Sequence, residues 1–328
     1  MKFVMKISDC SNVDILRLQI LENNSRIPSF YKAFYVYREE WIKYPPHKDA
    51  VSKIKLVGES IRRIAKSELG GKGRGEATAA GKAFESIVVW YFNLLFWELP
   101  VVVMSHNKAP QIFSDITQVS VNGESVNPAT DLFAFSIPDS SLWNGDFNDL
   151  NDHLADRIGA VDFTIIHTKT NWNDTVQLPM LWNLIYNVKD FRIPDIQTGK
   201  SEISTGSTRS TKYAFVTLPS QSNLKKFKPN VQPVIRAKTL SGGNYISAAT
   251  IPDVAYALHE FPSKNFSDQI QKTTSGSYWD HVSRVHQETP DLLDRFLTFG
   301  FGPDQLSPEQ EGSIWDEEDS IANLDFFN

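Results

Sequence analysis

The sequence predicts an α/β (α+β) fold: a central mixed β-sheet flanked by helices, with added helical segments at both ends. Two observations carry this expectation. Apolar runs of helical length and of strand length follow one another in the order helix, strand meander, helix, more strands. A hydrophobic content of 41% and an aromatic content of 12% over 328 residues are those of a folded chain with a substantial core.

The elements follow in order. The first 68 residues read as mainly helical, broken at Pro45–Pro46. GGKGRG, Gly70–Gly75, is a flexible loop. A long helix is expected from Glu76 to Trp97, ending near Pro100. Strand-like runs follow at VVVM (101–104), IFSDITQVSV (112–121), DLFAFSI (131–137) and VDFTIIHTK (161–169), with an Asn-, Asp- and Ser-rich loop over 138–160. VQLPMLWNLIYNV (176–188) reads as a helix with Pro179 in its first turn. YAFVTL (213–218) and VQPVIRAKTL (231–240) read as further strands, and LSGGNY (240–245) as a Gly-containing turn that reaches toward a ligand. YWDHVSRVHQE and PDLLDRFLTF read as closing helices.

Composition excludes several classes. Cys10 is the single cysteine, so an internal disulfide framework and a cysteine-rich zinc site are ruled out, and a reducing cytoplasm is expected. His281 and His286 are five apart, the wrong spacing for a zinc-binding pair on one helix face. The longest apolar stretch, Ser86–Met104, is interrupted by Asn93, Glu98 and Pro100 and reads as a buried helix and strand, not a membrane span. MKFVMKISDCS has no apolar core of the signal-peptide kind. GEATAAGKAF fails as a phosphate loop, because five residues separate Gly75 from Gly81 and Ala83 stands where Ser or Thr is needed.

The net charge of −6 is unevenly spread. From Glu288 onward eleven acidic residues face one basic residue, Arg295. Ala50–Lys82 carries eight Lys/Arg against three Glu, and Lys200–Leu240 eight against one. Two basic blocks apart from an acidic tail suit a phosphate-facing groove with a solubilising end.

Three short stretches bear candidate chemistry. GKAFE places Glu85 on an apolar helix, where a carboxylate is costly unless it pairs or binds a cation. NPATD places Asp131 at the mouth of a strand. In TIIHTK, strand alternation sets His167 and Lys169 on one face at the strand's end. Singly, each has an ordinary structural reading; their order along the chain is the signal.

In that order the residues resemble the PD-(D/E)XK nuclease superfamily, particularly type II restriction endonucleases, over about residues 76–218. The resemblance implies a restriction-endonuclease-like core. It places a helical segment before it (1–75), DNA-recognition and dimer elements after it (219–300), and an acidic tail (301–328). It implies Mg²⁺-dependent hydrolysis of both strands of a short duplex DNA site, with Mn²⁺ as a substitute. A homodimer, a cognate DNA methyltransferase and a bacterial or archaeal cytoplasm go with it. Asp131, His167, Lys169 and Glu85 would be catalytic, and Asp131, His167, Glu85 and Asp139 candidate metal ligands. The departure is His167, which stands where the family has Asp or Glu, whereas Mg²⁺ prefers oxygen. Either His167 ligates or supports a ligand, or Asp139, Asp162 or Glu85 supplies the oxygen; Asp162 faces away from His167. Candidate DNA contacts are Lys72, Arg74, Asn171, Asn173, Gln177, Arg209, Lys212, Arg236, Lys238 and Asn244. A repair or nicking nuclease of the same fold, and a DNA-binding protein without activity, are the alternatives.

Overall fold

The computed structural model describes residues 10–25, 49–68, 74–126, 130–170, 196–218, 227–248, 253–289, 292 and 296. Helices α1 (Asn12–Ser25), α2 (Ala50–Glu68) and α3 (Arg74–Leu95) lead into strand β1 (Val101–Ser105). Helix α4 (Gln111–Thr117) precedes a hairpin of β2 (Val119–Val121) and β3 (Glu124–Val126). Strand β4 (Leu132–Ser136), helix α5 (Phe147–Asp156) and strand β5 (Asp162–Lys169) follow. After β6 (Ile196–Thr198) and β7 (Ser210–Thr217) come helix α6 (Gln232–Leu240), β8 (Tyr245–Ser247) and β9 (Tyr256–Ala257). Helices α7 (Phe261–Asn265), α8 (Ser267–Thr273) and α9 (Tyr278–Glu288) complete the described elements.

Six strands form one mixed sheet in the order β1-β4-β5-β7-β8-β9. The β1–β4 and β4–β5 pairs are antiparallel, while β5–β7, β7–β8 and β8–β9 are parallel. The sheet therefore continues past residue 218 through β8 and β9. A second, three-stranded antiparallel sheet has the order β3-β2-β6.

Alternation splits the sheet's side chains between two cores. Leu132, Ala134, Ile166, Ala214 and Val216 pack with α2, α3 and α9 on one face. Phe133, Phe135, Phe163, Ile165 and Phe215 pack with α4, α5 and α6 on the other. Helix α3 is the backbone of the first layer: apolar residues run round its whole circumference, as in a helix buried on all sides.

The open side of β1 is closed by side chains instead of a strand. Asn93 donates to the Val103 carbonyl (2.7 Å) and accepts from the Val103 N–H (3.1 Å). Buried Arg17 donates to the carbonyls of Val101 and Leu99 and pairs with Asp14. Desolvation lowers the Arg17 pKa, against the pull of Asp14.

Three expected elements differ. Residues 111–117 form α4 where a strand was expected; Ile112, Phe113 and Ile116 face the core with helical spacing. Residues 147–156 form α5 within the expected loop, started by Asp146, whose side chain accepts from the Asn148 N–H, with Leu150 and Leu154 buried four apart. Residues 232–240 form α6 where a strand was expected, with Pro233 in the first turn and Val234 and Ala237 buried. The turn at Gly242 and Gly243, both at positive φ, thus joins a helix to β8. The long helix and the strands near 101–104, 131–137, 161–169 and 213–218 lie where the sequence puts them. The expected helix at 176–188 lies outside the described residues. Among the described residues no helix is long and apolar enough to cross a membrane.

Candidate functional site

The site is built at one end of the six-stranded sheet, where β4 begins and the parallel strands β5 and β7 end. Ligands of open sheets gather at the carboxyl ends of parallel strands, where the backbone leaves the ladder. Asp131 immediately precedes β4, and Lys169 is the last residue of β5.

Asp131 closes the β4–β5 ladder with its side chain. Its Oδ2 accepts from the Thr168 N–H (2.7 Å) and the Thr168 hydroxyl (3.3 Å). A strand residue turns its N–H and C=O to the same side, so the Thr168 carbonyl also points toward Asp131. Lys169 turns its backbone the other way, its carbonyl accepting from the Leu218 N–H (2.9 Å). On the β1 side, the His106 N–H donates to the Asp131 carbonyl (3.0 Å).

Glu85 approaches from α3. Burial first, and the negative charge of Asp131 second, push its carboxyl up to about 7. The charges of Lys169 and Lys82 act in the opposite direction. Asp131 and Lys169, on two other elements far apart in sequence, are thus both close enough to act on Glu85. From Ala80 to Trp97, every residue is buried except Gly81, Lys82 and Glu85. The buried central helix opens to solvent only there along this stretch, beside the site.

The β4–β5 register, continued by one residue, sets Asp131 opposite His167. His167 is buried, and its ring lies 5.3 Å from that of Tyr213 on the face turned away from α3. By strand alternation and register His167 shares its face with Lys169 and Asp131, at the sheet end where those two meet.

Asp139 does not join the site. It follows β4 at the opposite end from Asp131, is exposed, and pairs with Arg157 (3.5 Å). Asp162 starts β5, at the far end from Lys169, and is held by Arg209 and by Gln269 (3.1 Å). Arg209 is therefore engaged with a carboxylate at the sheet's other end. Lys212 donates to the carbonyls of Lys264 (3.0 Å) and Asn265 (2.9 Å). Asn244 donates to the Tyr213 carbonyl (3.0 Å) and to Asn265 (2.6 Å). These three bind the fold together. Lys238 donates to the Asp253 carbonyl (2.7 Å) from the exposed side of α6, where Arg236 is also exposed. Arg74 begins α3; its side chain, with Lys72, Asn171, Asn173 and Gln177, lies outside the described residues.

Sequence reasoning missed His106 and Lys82. His106 is half-buried beside the Phe133 ring (5.2 Å); burial lowers its pKa while Asp131 pulls the other way. No sequence signal pointed to it, because only the β1–β4 pairing brings it to Asp131. Lys82, three residues before Glu85 on the helix, was legible as an i, i+3 neighbour.

Among the described residues, no three His, Cys, Asp or Glu side chains are gathered as a metal-binding group. The donors that converge are oxygens: the carboxyl groups of Asp131 and Glu85 and the Thr168 carbonyl. Such a set suits Mg²⁺, which keeps several waters and takes one or two carboxylates. The negative charge of Asp131 disfavours ionisation of Glu85, a cost that a cation between them would offset. No family model matches the chain, and no curated protein matches it.

Proposed function

We propose that the protein is a Mg²⁺-dependent endodeoxyribonuclease with a restriction-endonuclease-like core, cleaving both strands of a short specific duplex DNA site. The observation that carries the reading is the convergence of Glu85, Asp131 and Lys169 at one sheet end, with a charge effect on Glu85 from each of the other two. Asp131, Glu85 and the Thr168 carbonyl would hold the metal. Bound there, it would orient water, lower its pKa and offset charge on the phosphate. Lys169 adds a fixed positive charge for a non-bridging phosphate oxygen or the attacking water, where charge develops in the transition state. Asp131, tied to Thr168, holds its carboxylate in one orientation. His167, on the strand face of Lys169 and opposite Asp131, stands where the family has its acid and would ligate the metal or support a ligand.

Cutting both strands of a two-fold site calls for two active centres, hence a homodimer, and a DNA methyltransferase that protects the host's own sites is the companion activity. The test is digestion of a mixed plasmid and phage DNA panel in Mg²⁺, Mn²⁺ and EDTA, with Lys169→Ala alongside. Discrete bands that need metal, and that Lys169→Ala reduces at least about 100-fold, are expected. Intact DNA in both metals sinks the proposal.

A second reading, a DNA-binding protein without chemistry, draws on His167, a buried imidazole against Tyr213 where the resemblance calls for an acid. It predicts DNA shifted in EDTA and never cut.

A further inference from the structure

Helix α3 carries a glycine that the packing of the described residues does not require. Gly81 has an ordinary negative φ, and a Cβ built on it would meet nothing within 4 Å. Mid-helix glycine costs about 1 kcal/mol relative to alanine. Elsewhere in this chain the reason for a glycine is visible: a Cβ at Gly58 would lie 2.6 Å from the Tyr91 hydroxyl. Among the described residues the space at Gly81 is open, and it is open at the one solvent window of the stretch from Ala80 to Trp97. The other two residues of the window are Lys82, which is exposed, and Glu85, which is half-buried. At 100° per residue the three lie within one 100° arc of the helix.

A bare backbone beside a cation, next to a carboxyl of the site, is the arrangement that admits a sugar-phosphate chain: glycine lets the backbone come close, and the lysine meets the phosphate. We propose that the Gly81–Lys82 turn of α3 is the seat of the cleaved DNA strand, with Lys82 binding a phosphate next to the one that is cut. This inference rests on the nuclease reading and names where its substrate lies. Lys82 is a binding residue, separate from Lys169, which acts on the reacting phosphate.

The experiment uses the full chain with Gly81→Ala, Gly81→Leu, Lys82→Ala and Lys169→Ala. Binding of a fluorescent duplex containing the cleaved site is followed by anisotropy in Ca²⁺, cleavage in Mg²⁺, and folding by thermal melting. Both Gly81 variants should melt at or above the wild-type temperature, because the site has room and glycine is the poorer helix former. Gly81→Ala should bind within about threefold of wild type, whereas Gly81→Leu should bind at least about 10-fold more weakly. Lys82→Ala should weaken binding about 5- to 10-fold and lower the salt slope by about one. Wild-type affinity in both Gly81→Leu and Lys82→Ala, with Lys169→Ala inactive, overturns this inference and leaves the nuclease reading standing. A wild-type protein that neither binds nor cuts DNA overturns both. A Gly81→Leu variant that melts lower is set aside in favour of Lys82→Ala, which then decides alone.

Discussion

At the scale of single residues, the Glu85 carboxyl is the most informative group. Its folded pKa of about 7 lies above the unfolded value of roughly 4.3, so the fold favours the protonated form. That contribution is fully present below about pH 4.3 and is lost as the pH rises through about 7. Glu85→Gln should therefore leave the melting temperature in EDTA unchanged at pH 4 and raise it at pH 8.5. An offset that is the same at both pH values would show that ionisation of Glu85 is not the cause. The residue-scale signal was partly legible: a carboxylate on an apolar helix and an acid at a strand mouth are visible in GKAFE and NPATD. Asp139 was misjudged because IPDS follows the same strand, at its other end. Arg209 and Lys212 are candidate DNA contacts in sequence, since a charge run says nothing of the carboxylate or carbonyl that folding sets beside it.

At the scale of elements, the sheet edge at β1 is the feature to test. Asn93 gives β1 two of the bonds that a further strand would supply, and it also donates to the Val89 carbonyl (2.9 Å). Asn93→Leu keeps the branching at Cγ and leaves the Val103 N–H and C=O buried without these partners, at a cost of about 3 kcal/mol. A fall in the urea midpoint with an unchanged m-value is the expected result. A change under 0.5 kcal/mol would show that the edge is satisfied in another way. Long elements were legible and short ones were not. A run such as IFSDITQ has too few residues for period to separate helix from strand, and the core-facing set of Ile112, Phe113 and Ile116 decided it only through packing. In VQPVIRAKTL, Pro233 was the helix-start signal, outweighed by β-branched neighbours.

At the scale of the molecule, the core formed by α2, α3 and α9 sets the response to acid. His286 on α9 is buried, and burial together with the Lys53 charge lowers its pKa to about 4 from an ordinary value near 6.5. Its stabilising contribution is present above about pH 6.5 and is lost as the pH falls through about 4, amounting to roughly 3 kcal/mol. His286→Leu should shift the acid-unfolding midpoint to lower pH, measured by circular dichroism. An unmoved midpoint would place the acid trigger elsewhere. The mixed sheet flanked by helices was legible in sequence as helix, strand meander, helix and more strands. The two cores on either face of the sheet were not, because strands buried on both sides lose the alternation that distinguishes their faces.

The bond from the Thr168 amide to the Asp131 carboxylate has a practical consequence. That amide lies where the ladder ends, and its protection from solvent hydrogen depends on a side chain instead of a neighbouring strand. Its deuterium uptake is then a gauge of the Asp131 orientation, readable in the absence of any turnover. Inactive protein for binding work is better made with Asn at this position than with Ala. Alanine would release the Thr168 amide and loosen the last turns of β5 together with the chemistry.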